Sequence, residues 1–504
     1  MSSKRIFSGT VASYLHTTVS LLSNLVLVPM YLLYFSKEEY GLWLVVLSVV
    51  SYLGFSNLGI TQSVANFVAS TNAKNDYDGI KSIVATGFWL YVSIIILVMM
   101  MIIGVVLVVP VEDFLNVPES LKDVVIPVLV ISSAFFLLKL PLTLFNVTLR
   151  SLNLIYKEQL FGLLFTVIQF IGVIAVLWSD VGIVGLSVVY GVTGLLSGIV
   201  LFVYLRKLVP GFSVSRKFAS KTMVRKLTVP GGYFFILQLA GALIWATDNV
   251  IISAILGVAE VVSYAIAFKV FLLTIGIASV ITQSMLPSIT AAYALNNNEL
   301  LSNLYIKALK LCFGLGLLAT FIMIGVGPDL MIMWIGIDNY VGDTTFYFLI
   351  CLIFIQIILW PSDAILVGTT QHQRYALVAV LEGFINIGLS IWWIHIWGVA
   401  GVAAASLTAR LSTNAWYVFY QAYVVTGVGM TVLAGNVLKL FIAPISGVLI
   451  ALFILNKIDL FGWYKIIINT SAICFIFVLL FYFLSLNGSD RHEIKKFIKN
   501  FGLI

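Results

Sequence analysis

The chain has 504 residues, of which 61% are apolar and only 10% are charged, and its mean hydropathy is +1.10. No soluble domain of this length has such a balance, and the same numbers exclude a disordered or fibrous chain. The composition therefore predicts an all-α polytopic membrane protein, for which the bilayer is the main solvent.

Long apolar runs follow one another from the first residues onwards. A helix needs about 20 apolar residues to cross the hydrocarbon core, and polar or Gly/Pro-containing breaks divide the chain into about 14 candidate spans. The first run follows two cations and is too long for a signal-peptide core, so it is interpreted as a retained span. The predicted spans are 8–35, 41–70, 82–110, 124–150, 158–179, 182–205, 228–255, 258–293, 303–327, 344–370, 374–397, 398–425, 431–455 and 461–486.

Lysine and arginine are distributed unevenly between alternate connections. The connections on the side of the N-terminus hold most of the cations, including a dense group between 206 and 226, whereas acids dominate the opposite set. Because short cytoplasmic loops are enriched in Lys and Arg, both termini are predicted to be cytoplasmic, which requires an even number of spans. The same asymmetry accounts for the net charge of +7, so no nucleic-acid partner is expected.

An internal repeat predicts two lobes. FIGVIAVLWSDVGIVG at 170–185 aligns without a gap with NIGLSIWWIHIWGVAG at 386–401, so that three glycines recur 216 residues apart. Close helix packing needs small residues at fixed places, and the match predicts two six-helix lobes in parallel repeat around a cavity. The alternative is a duplication that only stabilises the bundle. The predicted divisions are an N-terminal lobe at 1–206, a cytoplasmic linker at 207–227, a C-terminal lobe at 228–425, two extra helices at 426–486 and a basic cytoplasmic tail at 487–504.

Ionisable side chains inside the predicted spans are costly unless they are paired or line water, so each is a candidate functional residue. Asp248 and Lys269 lie on adjacent spans at similar depth, where a structural ion pair is the alternative. His16 is a candidate proton carrier because imidazole titrates near neutrality, although a hydrogen-bonded buried histidine is the commoner outcome. The complete set is His16, Lys139, Asp248, Lys269, Asp363, Glu382, Arg410 and Lys439.

Motifs of the common enzyme classes are missing from the sequence. It contains no GxxxxGK[ST], no HExxH, no Cys/His cluster and no nucleophile elbow. The three cysteines lie singly in apolar runs, so no catalytic residue, metal site or cofactor is predicted. A membrane glycosyltransferase or glycan polymerase would need acids in an external loop, and Glu38 with Glu39 is the one feature that favours this alternative.

Three regions of the chain resemble one family of membrane proteins. They are LVLVPMYLLYFSKEEYGLW at 25–43 with YLGFSNLGI at 52–60, ATDNVIISAILGVAEVVSYAIAFKV at 246–270, and NIGLSIWWIHIWGVAGVAAASL at 386–407. These stretches resemble bacterial polysaccharide flippases of the Wzx type, within the multidrug/oligosaccharidyl-lipid/polysaccharide (MOP) exporter superfamily. The resemblance covers nearly the whole chain and implies a MATE-like V-shaped bundle of two six-helix lobes plus two helices.

The resemblance implies a function and a set of partners. A lipid-linked glycan, undecaprenyl-pyrophosphate-oligosaccharide, would cross the bacterial inner membrane for O-antigen, capsule or exopolysaccharide synthesis, coupled to a proton or sodium gradient. Membrane lipid, a polysaccharide polymerase and a chain-length regulator are candidate partners. On this expectation Lys139, Lys269 and Arg410 bind the pyrophosphate through charge-assisted hydrogen bonds. The candidates for the coupling ion are Asp248, Asp363, Glu382 and His16.

Two further classes of membrane protein are weighed against this expectation. A MATE-like exporter of organic cations would need a cavity dominated by acids, whereas the predicted spans hold four basic and three acidic side chains. This balance favours an anionic cargo. A membrane assembly partner without transport activity is disfavoured, because it has no need of so many charges inside its spans.

Overall fold

The computed structural model describes residues 3–72, 74–179, 181–369, 372–429, 435, 437–455, 457–458, 462–485 and 491. Regular structure within these residues is entirely helical, as the apolar runs predicted. The helices are α1 (Ser3–Tyr34), α2 (Lys37–Tyr52), α3 (Ile60–Asn72), α4 (Tyr77–Val108), α5 (Val111–Phe114), α6 (Lys122–Ser151), α7 (Ile155–Leu177), α8 (Gly182–Leu208), α9 (Lys221–Trp245), α10 (Thr247–Leu256), α11 (Val258–Ala294), α12 (Asn298–Ile335), α13 (Asp343–Gly368), α14 (His372–Trp397), α15 (Val399–Ser412), α16 (Asn414–Thr426), α17 (Ile442–Leu455) and α18 (Gly462–Leu480).

Eleven helical segments within the described residues are long and apolar enough to cross a membrane. This confirms the predicted all-α polytopic fold class. The apolar side chains of α4 show why the bilayer must be the solvent, since Leu97, Met101 and Leu107 are 57%, 62% and 79% exposed. Such a surface is unfavourable in water and is matched by lipid hydrocarbon.

Three predicted spans are divided in the structure, namely 41–70, 228–255 and 398–425. Leu58 and Gly59 adopt positive φ angles of 46° and 69° between α2 and α3. Ala246 separates α9 from α10, and Thr413 separates α15 from α16. The hydropathy pattern does not reveal these breaks, because the interrupting residues are apolar or only weakly polar.

The glycine repeat corresponds to a repeated turn. The aligned Gly182 and Gly398 have φ angles of +67° and +57°, a region that glycine enters at little cost, and each lies at the start of a helix. A Cβ atom at Gly185 would lie 3.0 Å from a side-chain methyl of α7, and one at Gly401 would lie 2.3 Å from the carbonyl oxygen of Trp393 in α14. The two matching sequences therefore form the same tight turn between closely packed helices, once in each half of the chain.

Packing divides the chain into two compact units, Met1–Ala265 and Ile266–Ile504. The buried core of the first unit contains side chains of α3, α4, α6 and α8. The core of the second contains side chains of α12, α13, α16, α17 and α18. The predicted lobes, linker and extra helices, at 1–206, 207–227, 228–425 and 426–486, stay predictions. The predicted basic tail at 487–504 lies outside the described residues except for 491.

Candidate functional site

A buried ion pair joins α15 to α14 in the second unit. Arg410 Nε lies 2.6 Å from Glu382 Oε1, and the two side chains are 5% and 1% exposed. The guanidinium group also donates a hydrogen bond through Nη1 to Gln356 Oε1 on α13. Removing one partner of a buried ion pair leaves the other charge uncompensated, which is strongly destabilising. Three helices are therefore held together through Arg410.

The break between α15 and α16 lies against the same carboxylate. Glu382 Oε2 accepts hydrogen bonds from the Thr413 hydroxyl, at 3.3 Å, and from the side-chain amide of Asn414. Discontinuous helices in transporters present polar groups to substrates and ions at membrane depth. Here the side chains at the break are directed to an acid rather than to lipid.

Asp363 belongs to this network as well. Its carboxylate forms a hydrogen bond with the Tyr375 side chain of α14, and it interacts electrostatically with Arg410 and Glu382. Sequence reasoning placed these three charged residues on separate spans without relating them. The structure brings Asp363, Glu382 and Arg410 into one cluster of two acids and one cation, called the α13–α15 network below.

The uncharged members of the α13–α15 network were missed by sequence reasoning. Gln356 precedes Asp363 by seven residues on α13, a helical spacing that brings side chains to one face, and a search at this spacing from each buried charge finds it. Asn414 is separated from Arg410 by the break at Thr413, so helical spacing does not relate these two residues. Asn414 is 2% exposed, and its Oδ1 has no hydrogen-bond partner in the described part of the chain.

Asp248 lies in the first unit, at the break between α9 and α10. Its side chain is buried, and Oδ2 accepts a 2.5 Å hydrogen bond from the Tyr264 hydroxyl. Thr247 and Asn249, the residues on either side, are each hydrogen-bonded to α2 at 2.9 Å. Lys269 follows on α11 and is partly buried. The ion pair between Asp248 and Lys269 stays a prediction.

Lys139 has different surroundings from the other predicted residues. It lies on α6 with an exposed side chain, and a Cβ atom at Gly194 of α8 would come within 3.1 Å of its Cδ. Among the residues that the structure describes, none forms an ion pair or hydrogen bond with the Lys139 ammonium group. This cation is therefore uncompensated within the described chain.

His16 bridges α1 and α7. Its Nδ1 lies 2.8 Å from Gln159 Oε1, and its Nε2 lies 3.2 Å from Thr166 Oγ1. Gly162 lies between these partners, and a Cβ atom there would be 2.6 Å from the imidazole ring. The ring is thus held by hydrogen bonds on both nitrogens, and the proton-carrier role stays a prediction.

The acidic pair that favoured an enzyme begins α2. Glu39 Oε2 accepts a 2.8 Å hydrogen bond from the Ser36 amide, and Ser36 Oγ accepts one of 3.1 Å from the Glu39 amide. This is a capping box, and acids in the first turn also interact favourably with the helix dipole. Glu38 and Glu39 therefore have a structural explanation. In the described residues no group of three or more His, Cys, Asp or Glu side chains is placed to hold a metal ion.

A cavity of about 620 Å³ lies between α13 and α16 in the second unit. Trp416, Tyr420 and Tyr423 line one wall, and Ile355 and Leu359 line the other. None of the predicted charged residues lines it. The cavity is suited to an apolar chain and is distinct from the α13–α15 network.

Solved structures of membrane transporters share this fold. The lipid II flippase MurJ in an inward closed conformation superposes with a TM-score of 0.69 at 13% identity, over 94% of this chain and 97% of that chain. An inward-facing multidrug resistance MATE family transporter gives 0.66 at 14% identity, over 81% and 95%. A MOP superfamily transporter from Pyrococcus furiosus gives 0.58 at 15% identity, over 84% and 96%. These similarities define a multi-pass membrane protein with the MATE and MurJ fold.

The family is shown by the sequence itself. A family model described as polysaccharide biosynthesis protein matches residues 6–293, which is more than half of the chain. The chain therefore belongs to the polysaccharide biosynthesis protein family, within the MOP superfamily of transporters and flippases. It is also 20% identical over 511 residues to the uncharacterized membrane protein EpsK of Bacillus subtilis (strain 168), covering 99% of this chain and 98% of that protein. The predicted resemblance to Wzx-type flippases is confirmed.

Proposed function

We propose that the protein translocates an undecaprenyl-pyrophosphate-linked oligosaccharide repeat unit from the cytoplasmic to the outer face of the bacterial inner membrane. The product would serve O-antigen, capsule or exopolysaccharide synthesis. The observation that carries the proposal is Lys139, a cation inside a span that no described residue compensates. A charge at this depth is costly unless it meets a counter-charge or water, and the substrate diphosphate supplies a counter-charge.

Family and fold support the other two parts of this substrate. Membership of the polysaccharide biosynthesis protein family supports a glycan. The fold shared with a lipid II flippase supports a lipid carrier, and the apolar cavity between α13 and α16 offers room for part of its chain. The third part, the anionic diphosphate that links lipid to sugar, is supported by a cation in the proposed translocation path.

Three cations are proposed to contact the diphosphate at successive stages of its path, namely Lys139, Lys269 and Arg410. Arginine binds phosphoryl oxygens through paired N–H groups, which gives it both strength and orientation. Glu382 occupies the guanidinium of Arg410 in this structure. Arg410 is therefore available to the diphosphate only after Glu382 has been neutralised or displaced.

The α13–α15 network is proposed as the site of the coupling cation, a proton or sodium ion. Asp363 and Glu382 supply carboxylate oxygens, and Asn414 supplies the amide oxygen Oδ1, which has no hydrogen-bond partner among the described residues. This set of oxygens suits a hard cation. A cation on Glu382 would release Arg410 from its ion pair. Cation binding and diphosphate binding must then affect one another reciprocally. Asp248 and His16 stay as further coupling candidates in the first unit.

Complementation tests the proposed function. A strain lacking this protein would receive Lys139→Gln or Lys139→Arg, and surface glycan would be measured together with membrane abundance. Lys139→Arg keeps the charge and is expected to restore glycan, whereas Lys139→Gln is expected to fail at equal abundance. Normal glycan with Lys139→Gln would remove the observation on which the proposal rests.

A small-molecule exporter is the second candidate, and one observation favours it. The α13–α15 network holds two carboxylates and one guanidinium, which is a local excess of acid suited to a cationic cargo. Drug accumulation in the deletion strain distinguishes the two functions. A rise in retained organic cations with unchanged surface glycan would support the exporter and contradict the flippase.

A further inference from the structure

Residues 206–226 comprise the last residues of α8, the connection that follows it and the start of α9. This segment is anchored to the first unit and is called the basic connection here. Phe212 is 2% exposed and packs against rings of α6 and α8, with centroid distances of 6.2 and 6.0 Å. The carbonyl oxygen of Val214 accepts a 2.7 Å hydrogen bond from Trp89 Nε1. The amide of Ser220 donates a 3.0 Å hydrogen bond to the buried Thr86 hydroxyl. Three contacts thus fix the connection against the protein.

Trp89 places the basic connection relative to the bilayer. The part of α4 from Phe88 to Val108 is predominantly apolar and carries no charge. Its length, at 1.5 Å per residue, is about 30 Å, the thickness of the hydrocarbon core. Counted from the Val108 end of α4, this length places Trp89 near the other boundary of the core, a depth at which tryptophan is enriched. The uncharged residues 82–87 then continue α4 beyond the core into the headgroup layer. Arg216 stacks on its indole with Cζ 4.2 Å from the ring centroid. The basic connection is thereby held at headgroup level.

The charge of the basic connection has one sign. It contains no acidic residue, and all of its cations are exposed. They are Arg206, Lys207, Arg216, Lys217, Lys221, Arg225 and Lys226. The positive-inside rule accounts for cations on this side of a membrane, but a loose loop would satisfy it equally well. A connection that is anchored at the boundary of the core places these cations in register with the headgroups.

We propose that the basic connection is a binding surface for anionic phospholipid headgroups of the cytoplasmic leaflet. Lys and Arg near such a leaflet are attracted by its negative surface potential, and the effect falls off within a Debye length. Because the backbone is already ordered by its three anchors, little conformational entropy is lost on binding. An acidic protein domain is the alternative occupant. Lipid headgroups are favoured because a surface at headgroup level already lies beside them. The inference rests on the orientation within the proposed function and not on the transported substrate.

Native mass spectrometry of the purified full chain tests this surface. Phosphatidylglycerol and phosphatidylcholine would be supplied in equal amounts to the wild type and to a variant with Arg216→Gln, Lys217→Gln, Arg225→Gln and Lys226→Gln. The matched control removes four cations from the predicted opposite side, with Lys37→Gln, Lys122→Gln, Lys457→Gln and Lys465→Gln. Wild type and control are expected to retain phosphatidylglycerol at least fivefold over phosphatidylcholine, and the first variant is expected to lose this preference.

Two further measurements test the proposal if the first variant folds poorly. Adding 0.5 M NaCl to the wild type is expected to abolish its preference for phosphatidylglycerol, because exposed charges are screened at that ionic strength. An unchanged preference in the variant, or in high salt, would overturn the proposal. Undecaprenyl pyrophosphate forms the last arm. Loss of its binding with phosphatidylglycerol binding intact would assign the surface to the substrate instead. Lipid retention requires no transport, so its failure is distinct from failure of the proposed function.

Discussion

Lys139 and Arg410 were both predicted as ligands for the same anionic group, yet their surroundings differ. Arg410 is 4% exposed and is bound to Glu382 and Gln356. Lys139 is exposed and has no partner among the described residues. A compensated charge is part of the folded structure, whereas an uncompensated one needs a partner from outside the chain. Substitution of Arg410 should therefore act first on stability, and substitution of Lys139 on transport.

The largest effect is expected for Arg410→Gln. This change leaves Glu382 buried without its counter-charge, which costs about 3–5 kcal/mol of unfolding free energy. Thermal unfolding in detergent and abundance in the membrane measure the loss. The double variant Arg410→Gln with Glu382→Gln removes both charges and is expected to recover most of the stability. A single variant as stable as the wild type would show that the ion pair does not hold α14 to α15.

The second effect concerns export rather than folding. Lys139→Gln removes a cation that forms no ion pair or hydrogen bond with a described residue, so its unfolding free energy should stay within about 0.5 kcal/mol of the wild type. Surface glycan is expected to fall at least tenfold in the complemented strain at equal abundance. If Lys139→Gln is instead as unstable as Arg410→Gln, the contrast between the two cations is wrong.

A smaller effect is expected at the break between α9 and α10. Tyr264→Phe removes the hydrogen bond to Asp248, and a hydrogen bond to a charged group contributes about 1.5–3 kcal/mol. The unfolding temperature measures this loss. Tyr340→Phe offers a control, because Tyr340 also donates to a carboxylate, that of Asp343, but at an exposed position. Equal decreases in unfolding temperature for Tyr264→Phe and Tyr340→Phe would contradict the claim that burial strengthens the hydrogen bond to Asp248.

The smallest effect is expected for His16→Gln. Glutamine keeps a hydrogen-bonding side chain between α1 and α7 but cannot take up a proton. A stability change of about 1 kcal/mol is expected from the altered hydrogen bonds. Comparing the pH dependence of transport in this variant and the wild type tests the proton-carrier role. An unchanged pH profile would remove His16 from the coupling candidates.

Composition and apolar run length were sufficient to predict the fold class, because every membrane helix must satisfy its own backbone and present apolar side chains to lipid. The divisions at Leu58, Ala246 and Thr413 were not predicted. Each division is set by backbone angles or by tertiary contacts. The residues at the divisions fit an uninterrupted apolar run, so the sequence pattern gives no sign of them. The aligned glycines were more informative, since Gly182 and Gly398 mark the same positive-φ turn in both halves.

The candidate site was predictable in its charges and not in its pairings. Asp363, Glu382 and Arg410 stood out because ionisable groups are rare in spans. The predicted spans could not show that Arg410 and Glu382 touch, because 398–425 was taken as one uninterrupted helix, whereas α15 ends two residues beyond Arg410, at Ser412. The uncompensated state of Lys139 likewise depends on which neighbours pack around α6, and no spacing in the sequence reports it.

The central claim, that this chain moves a diphosphate-linked glycan lipid across a bilayer, is tested most directly in liposomes. The purified protein would be reconstituted with a fluorescent undecaprenyl-pyrophosphate oligosaccharide, and dithionite would bleach the label in the outer leaflet only. Wild type is expected to bring the inner pool to the outer leaflet, and Lys139→Gln at equal incorporation is expected to leave it protected. A wild-type rate equal to that of protein-free liposomes, across imposed proton and sodium gradients, would contradict the claim.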